Sequence, residues 1–267
     1  MNYLDSLDPK YRLILCDVWG VVHDGVQLYP GAAFRLQQWK DEGRCVALIT
    51  NAPRTADAVE QQLARIGLPQ DVYDFVATSG EAGIEALNAL GEPVGFVGTP
   101  ADREILEGRG VQIALNQNFV ELACTGVTKA RPNPQDYLPD LERWVERDVH
   151  MHCLNPDRAV IRGGVSEACA GAIADLYQGL GGRVTWYGKP HESIYRHALH
   201  CAGNPPASEV LAIGDGLQTD MLGAARMGFA AVFVSGGIHA GEPFPDDFAA
   251  RHGLGSWAPI GVVDGLL

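Results

Sequence analysis

Two aspartates and a lysine follow apolar segments that are far apart in the sequence. Asp17 lies within the run LILCDVWGVVHDG, Lys189 in Gly188-Lys189-Pro190, and Asp215 in Gly214-Asp215-Gly216. Carboxylate oxygens are preferred ligands of hard divalent cations, and a lysine ammonium can neutralise the oxygens of an anionic group. These residue types are therefore suited to hold a divalent cation and, through it, a phosphoryl group.

The elements around these residues explain how they could meet. Short apolar runs alternate with helical stretches, a pattern typical of βαβ units and a mostly parallel sheet covered on both faces. Ligands of such sheets bind outside the carboxyl ends of the strands. The second apolar run ends at Thr50-Asn51, and Asp220 follows Asp215 by five residues. We expect these residues to converge on one edge of the sheet.

The βα rhythm is interrupted in the middle of the chain, where brief apolar runs are separated by Pro and Asn. It resumes near Val184. We therefore predict an α/β fold with a three-layer, Rossmann-like core built from residues 1–79 and 184–267. An α+β cap domain is inserted at residues 80–183. Within the cap, residues 167–178 are predicted to form a helix that Gly179 stops.

The ordered motifs resemble the haloacid dehalogenase superfamily, and more narrowly its class IIA. That class includes phosphatases of the N-acetylglucosamine-operon and 4-nitrophenyl phosphatase types, and a subgroup with DxWG in place of DxDG is the most similar. The resemblance covers nearly the whole chain. It rests first on the four motifs around Asp17, Thr50, Lys189 and Asp215. It rests further on Tyr29-Pro30-Gly31-Ala32, Thr78-Ser79, Asn155-Pro156-Asp157 and Ser235-Gly236-Gly237.

The resemblance implies a catalytic nucleophile and a magnesium site. Asp17 would be both the nucleophile and a Mg²⁺ ligand. The backbone carbonyl of Trp19 and the carboxylate of Asp215 would be the other protein ligands. Two carboxylates and a carbonyl form a reasonable donor set for Mg²⁺, which usually also keeps several waters.

The resemblance also implies the groups that hold the substrate. Thr50 would donate its hydroxyl to the phosphate, with the amide of Asn51 beside it. Lys189 would bind the phosphate and neutralise charge that develops on the transferring group, which makes it a catalytic residue too. Asp220 would orient Lys189 or a metal-bound water.

Trp19 departs from the family pattern, because the phosphatases usually have an aspartate there that protonates the leaving oxygen. An indole cannot do this. Three outcomes are compatible with Trp19: a substrate whose leaving group needs no proton, proton transfer by His23 or Asp24, or a site that binds without turnover. We therefore expect a Mg²⁺-dependent phosphatase acting on a small phosphorylated metabolite through a phosphoaspartate, slow on ordinary monoesters. The alternative is a non-catalytic phosphate- or metabolite-binding protein.

The composition limits which other classes of partner, and which location, are expected. The 267 residues carry a formal charge of −13, which would repel nucleic acid. There is no apolar run long enough to cross a membrane and no secretory signal, so a cytoplasmic location is expected. The six cysteines are interpreted as small buried hydrophobes. His150 and His152 are explained by strand alternation and predict no metal site. The resemblance further implies a homodimer formed through the cap.

Overall fold

The computed structural model describes residues 3–162, 165–237 and 243–267. The chain divides into two compact units. The first comprises Met1–Thr50, Ala56–Ala77 and Lys189–Leu267, and the second comprises Asn51–Thr55 and Thr78–Gly188.

The described strands and helices alternate along most of the chain. The strands are β1 (Leu13–Asp17), β2 (Cys45–Thr50), β3 (Phe75–Thr78), β4 (Gly95–Val97), β5 (Glu121–Cys124), β6 (His150–Cys153), β7 (Ala159–Arg162), β8 (Val165–Ala168), β9 (Arg183–Trp186), β10 (Val210–Gly214), β11 (Ala230–Val234) and β12 (Gly261–Val263). The α-helices are α1 (Ala32–Asp41), α2 (Ala56–Arg65), α3 (Ser79–Leu90), α4 (Pro100–Gly108), α5 (Leu138–Glu146), α6 (Ala170–Gly179), α7 (Glu192–Cys201), α8 (Leu222–Met227) and α9 (Phe248–His252). Among them, no helix combines the length and the apolar character that a membrane-spanning segment needs.

A six-stranded sheet in the order β12-β11-β10-β1-β2-β3 forms the centre of the core fold. β1 pairs in parallel with both β10 and β2, and β11 pairs in parallel with both β10 and β12. All five residues of β1 and of β10 are buried, so both faces of these strands are covered. Strands buried on both faces require near-continuous apolar sequence, as LILCD and VLAIG provide. The predicted α/β fold with a parallel-sheet core is confirmed.

The second unit has its own sheet, with the parallel order β4-β5-β6-β9, and an antiparallel hairpin of β7 and β8. Leu122 and Met151 point to one face of this sheet, where they join a buried cluster with Tyr177 of α6. The Tyr177 hydroxyl donates a hydrogen bond to the Val149 carbonyl at 2.6 Å. This unit therefore has a separate hydrophobic core.

Two local expectations differ from the structure. β9, expected at the start of the resumed core, pairs with β6 in the second unit, and the first unit resumes only at Lys189. The helix expected from Glu167 begins at Ala170, because Glu167 lies in β8 of the hairpin. Periodicity indicates that a short segment is a strand, but it does not show which sheet the strand joins.

The cysteines follow the expected pattern only in part. Cys16, Cys124, Cys153 and Cys169 are buried, whereas Cys201 is exposed at the end of α7. None of the six forms a disulfide within the described residues.

Candidate active site

The register of the core sheet brings three predicted site residues to the same edge. Asp17 is the last residue of β1 and lies opposite Ile49 of β2, so Thr50 is one position further along. On the other side, Cys16 lies opposite Ile213 of β10, which places Asp215 just beyond the end of that strand. The carboxyl ends of neighbouring parallel strands thus supply these residues, as the sequence predicts.

The Asp17 carboxylate is buried and its two oxygens have different surroundings. Oδ1 accepts hydrogen bonds from the Lys189 ammonium at 2.5 Å and from the Val18 N–H at 2.7 Å. Oδ2 accepts no hydrogen bond from the part of the chain that the structure describes. One oxygen is therefore anchored, and the other is left for an electrophile or a cation.

Lys189 links Asp17 to Asp220. Its ammonium donates to Asp220 Oδ1 at 2.8 Å and to the Ile49 carbonyl at 3.4 Å. Asp220 Oδ2 accepts from the Gly216 N–H at 3.2 Å and from the Thr219 hydroxyl at 3.1 Å. Because both of its oxygens are engaged, Asp220 holds the lysine in place, which is the geometry that its predicted orienting role requires.

Asp220 lies in a one-turn π-helix, Leu217–Met221, a feature that often occurs at functional sites. The hydroxyl of Tyr195, a buried residue of α7, donates to the Thr219 carbonyl at 3.4 Å. Tyr195 could not be identified from the sequence, because nothing in its spacing separates it from the other buried positions of α7.

Asp17, Asp215 and Asp220 are all buried, and each offers a carboxylate oxygen within 4.8 Å of the others. Burial raises the pKa of Asp17 well above its ordinary value, and the negative charges of Asp220 and Asp215 add to this despite the opposing effect of Lys189. Burial alone would lower the pKa of Lys189, but Asp17 and Asp220 outweigh it and raise that pKa. The three acids carry more negative charge than the lysine can balance.

Two glycines pack against the Asp215 carboxylate. A Cβ at Gly20, which has a φ of +91°, would clash with Asp215 Oδ2, and so would a Cβ at Gly237. A Cβ at Gly237 would also lie 2.6 Å from the Gly20 carbonyl oxygen. Glycine at these positions lets two backbone segments close in on the acid, which fixes the position of Asp215.

These residues fit a divalent cation. The donors are hard carboxylate oxygens, the charge of the cluster is unbalanced, and one oxygen of Asp17 accepts no described hydrogen bond. Asp17 and Asp215 would hold the ion, together with the Trp19 carbonyl that the resemblance implies. Hard divalent cations such as Mg²⁺ suit such a donor set.

Trp19 is half-buried in the loop that follows β1. Its backbone forms an isolated bridge with His23. Its indole lies beside Gly25, because a Cβ there would be 3.1 Å from Trp19 Nε1. The indole nitrogen can only donate a hydrogen bond, so the side chain offers no acid or base.

The two predicted substitutes for the missing acid differ in their surroundings. Asp24 Oδ1 accepts from the Gln27 and Val26 N–H groups, each at 2.8 Å. These hydrogen bonds lower the pKa of Asp24, so it stays ionised within a turn and is a poor proton donor. His23 is buried, and its Nδ1 accepts from the Gly25 N–H at 2.8 Å, which leaves Nε2 to carry the proton of the neutral ring.

Asn51 belongs to the second unit. Its side-chain amide donates to Asp157 Oδ1 at 2.8 Å. Asn155 Oδ1 accepts from the Asp157 N–H at 3.1 Å, so Asn155-Pro156-Asp157 forms a turn beside Asn51. The predicted phosphate contact of Asn51 therefore concerns its backbone N–H. Thr50, at the end of β2, keeps its prediction as a hydroxyl donor.

The structure also brings together a group that the sequence analysis did not predict. Glu121, His150 and His152 of the second unit offer ligand atoms within 4.8 Å of one another. The signal in the sequence is the i, i+2 spacing of His150 and His152, which places both on one face of β6. The contribution of Glu121 depends on the pairing of β5 with β6 and could not be read from spacing.

Comparison with known proteins gives family matches at both ends of the chain. A family model described as haloacid dehalogenase-like hydrolase matches residues 14–112. A second model, described as HAD-hydrolase-like, matches residues 186–253. These two ranges contain the predicted residues of the acidic site.

Curated relatives include two nucleotide phosphatases. The chain is 31% identical over 231 residues to the ribonucleotide monophosphatase NagD of Escherichia coli strain K12, covering 84% of this chain and 88% of NagD. It is 23% identical over 257 residues to the 5'-nucleotidase YutF of Bacillus subtilis strain 168, covering 93% of this chain and 98% of YutF.

Solved structures with the same fold extend over nearly the whole chain. A haloacid dehalogenase-like hydrolase from Brucella suis 1330 superposes with a TM-score of 0.85 at 33% identity, covering 100% of both chains. A 4-nitrophenylphosphatase from Thermotoga maritima superposes with a TM-score of 0.76 at 21% identity, covering 97% of this chain and 95% of its own. The second similarity concerns the fold alone.

Proposed function

Because this chain belongs to the haloacid dehalogenase-like hydrolases, we propose that it is a Mg²⁺-dependent phosphatase that uses Asp17 as its nucleophile. The resemblance to class IIA inferred from the motifs is confirmed. One observation carries the proposal: a buried Asp17 with one anchored oxygen and one that accepts no hydrogen bond from the described residues, beside Lys189 and Asp215.

Each residue of the site has a role in the proposed reaction. The Asp17 carboxylate attacks phosphorus, the bond to the leaving oxygen breaks with its electron pair, and a phosphoaspartate forms. Water then releases inorganic phosphate and restores the carboxylate. Lys189 and Thr50 bind the phosphoryl oxygens, and Asp220 keeps Lys189 in position. A Mg²⁺ ion bound by Asp17, Asp215 and the Trp19 carbonyl would supply further charge stabilisation.

The chemistry around Trp19 favours substrates with a stable leaving group. General acid catalysis typically contributes about 10²–10⁴-fold, and Trp19 cannot supply it. Asp24 is held ionised by its turn. Acyl phosphates and activated aryl phosphates need no proton on the leaving oxygen. We therefore expect them to be hydrolysed faster than alkyl monoesters such as nucleoside 5'-monophosphates, which the relatives NagD and YutF are named for.

A substrate panel tests the proposal. Purified protein is assayed for phosphate release from 4-nitrophenyl phosphate, acetyl phosphate and a set of nucleoside 5'-monophosphates, with Mg²⁺ and with EDTA. We expect release that requires Mg²⁺ and is lost in Asp17→Asn, with the first two substrates fastest. Hydrolysis that persists in EDTA or in Asp17→Asn would contradict the proposal.

The proposed assembly is a homodimer formed through the inserted unit. Its support is the class IIA resemblance. Light scattering coupled to size exclusion measures the molar mass, which should be twice the 28.7 kDa of one chain. A monomer over the accessible concentration range would show that the second unit does not pair two copies.

A further inference from the structure

A polar cluster lies on one face of the sheet of the second unit, formed by Glu121, His150, His152, Thr185 and Tyr187. Glu121 of β5 pairs with His150 of β6, and His152 pairs with Thr185 of β9. Since alternate residues of a strand share a face, His150 and His152 point the same way, as do Thr185 and Tyr187. Three neighbouring strands thus direct these side chains to one place.

Both imidazoles direct a nitrogen at the same carboxylate oxygen. Glu121 Oε2 lies 2.7 Å from His152 Nε2 and 3.2 Å from His150 Nδ1. Ligands about 2.0–2.1 Å from a tetrahedral Zn²⁺ are about 3.3 Å apart, so these atoms need only small movements to surround one ion. The set is two imidazole nitrogens and one carboxylate oxygen, with room for a fourth ligand.

The other nitrogen of each ring is held by a hydroxyl. His150 Nε2 lies 2.8 Å from Thr185 Oγ1, and His152 Nδ1 lies 2.8 Å from the Tyr187 hydroxyl. Metal-binding histidines almost always have such a partner on the nitrogen that does not bind the metal. A hydroxyl can donate or accept, so each ring can adopt the tautomer that frees the nitrogen facing Glu121.

The cluster is partly buried yet open on one side. The His152 side chain is 5% exposed, whereas Glu121 and His150 are 18% and 22% exposed. An ion can therefore reach the site and keep a water ligand. A plain ion pair would explain one histidine beside Glu121, but it does not require a second ring aimed at the same oxygen.

We propose that Glu121, His150 and His152 bind a divalent transition-metal ion of the zinc type, with the fourth coordination position open to water. Imidazole ligands suit Zn²⁺, Co²⁺ and Ni²⁺ and disfavour Mg²⁺, which prefers oxygen donors. This site would therefore select a different ion from the all-carboxylate cluster of the first unit. The ion would tie β5 to β6.

Cobalt titration tests the proposal with a spectroscopic readout. Chelator-treated full-length protein is placed in excess Mg²⁺, which occupies the carboxylate cluster, and Co²⁺ is added. We expect about one equivalent to bind, with visible absorption typical of four-coordinate Co²⁺, displacement by Zn²⁺, and paramagnetic shifts of two histidine rings in the ¹H NMR spectrum. Absence of binding under these conditions would overturn the proposal.

Variants identify the ligands. Glu121→Gln and His150→Gln should each weaken Co²⁺ binding at least about 100-fold, and Tyr187→Phe about 10–100-fold. His200→Gln, at an exposed position of α7, is the matched control and should bind as the wild type does. Unfolding temperatures of the metal-free variants check that they fold. Binding of full strength in both Glu121→Gln and His150→Gln would place the ion elsewhere. If a variant fails to fold, the identity of the two shifted rings in the wild type decides: rings other than His150 and His152 overturn the proposal.

Discussion

At the scale of single residues, Lys189 has the most demanding position, because it bridges two of three buried carboxylates. Lys189→Met leaves these acids without that counter-charge and removes a donor to the phosphoryl group. We expect kcat to fall by about 10²–10³-fold, the cost typical of losing one such donor. Steady-state kinetics at saturating Mg²⁺ measure this. Lys10→Met, at an exposed lysine, is the control; an equal loss there would show that the effect is not local.

The second prediction concerns a substitution of Trp19. Trp19→Asp introduces a carboxyl at the position where the class IIA resemblance implies the group that protonates the leaving oxygen, so turnover of nucleoside 5'-monophosphates should rise by about 10²–10⁴-fold. The rate with 4-nitrophenyl phosphate should change far less, because its leaving group needs little protonation. The ratio of the two kcat values is the measurement. Trp19→Asn has nearly the same shape without the acid, and a similar gain in that variant would refute a proton-transfer role.

Strand ends were enough to predict that Asp17 and Asp215 meet in the first unit, because parallel strands bring their carboxyl ends together. The position of Lys189 did not follow from this rule, because the strand before it, β9, belongs to the sheet of the second unit. The Glu121 cluster could not be predicted in this way, because its members meet through the register of β5 against β6. Register is a tertiary property that depends on pairing across the sheet, so His150 and His152 alone gave no sign of a third ligand.

At the scale of elements, the loop after β1 depends on Gly20. Gly20→Ala forces a left-handed φ on alanine and brings its Cβ into Asp215. Gly43 also has a positive φ, of +79°, but open space around it, which makes Gly43→Ala a matched control. Both variants should lose about 1–2 kcal/mol of stability from backbone strain. Only Gly20→Ala should also lose most of its kcat, and equal kcat values in the two variants would refute the contact with Asp215.

The segment before β3 contains a buried hydroxyl whose removal should stabilise the protein. Tyr73 is buried, and its hydroxyl makes no hydrogen bond with the described residues. Tyr73→Phe should therefore stabilise the protein, by up to about 1–3 kcal/mol. Tyr137→Phe is the control with the opposite sign, because the Tyr137 hydroxyl donates to the Arg131 carbonyl at 3.1 Å. Denaturant unfolding at pH 7 compares the two, and destabilisation by Tyr73→Phe would contradict the prediction.

The same tyrosine predicts a pH dependence. Burial, with a smaller contribution from Glu60, raises the pKa of Tyr73 from 10.0 to about 12. Because Tyr73 keeps its proton to a higher pH in the folded state than in the unfolded chain, its ionisation does not affect the free energy of unfolding below the unfolded pKa. As the pH rises from there towards 12, the unfolded chain ionises first and the free energy of unfolding of the wild type falls. The stability advantage of Tyr73→Phe should thus be constant from pH 7 to 9 and grow above pH 10. A constant advantage up to pH 11 would show that Tyr73 ionises normally.

Element types were easier to predict than element partners. The parallel core sheet followed from continuous apolar runs such as β1 and β10, which need cover on both faces. β9 lies where the alternation of strands and helices resumes in the sequence, and only its pairing with β6 assigns it to the second unit. The hairpin of β7 and β8 could not be predicted from the sequence, since the residues around Glu167 fit a helical pattern as well as a strand.

At the scale of the whole molecule, the charge of −13 opposes the approach of anionic substrates. Raising NaCl from 0.01 to 0.15 M shortens the screening length from about 30 Å to about 8 Å. We therefore expect kcat/KM for a nucleoside 5'-monophosphate to rise several-fold at constant Mg²⁺, with kcat unchanged. A decrease in kcat/KM with salt would mean that local positive charge, rather than the overall charge, guides the substrate.

The strand order has a consequence for biosynthesis. β1 is paired on one side by β2, which follows it closely, and on the other by β10, which is about two hundred residues further along. A nascent chain emerging from the ribosome therefore exposes one unpaired backbone edge of the apolar strand β1 until β10 has been synthesised. Unpaired edges of this kind attract other strands. Chaperone demand during synthesis should accordingly be greatest before Val210–Gly214 emerges, and polypeptides released early should be the ones that aggregate.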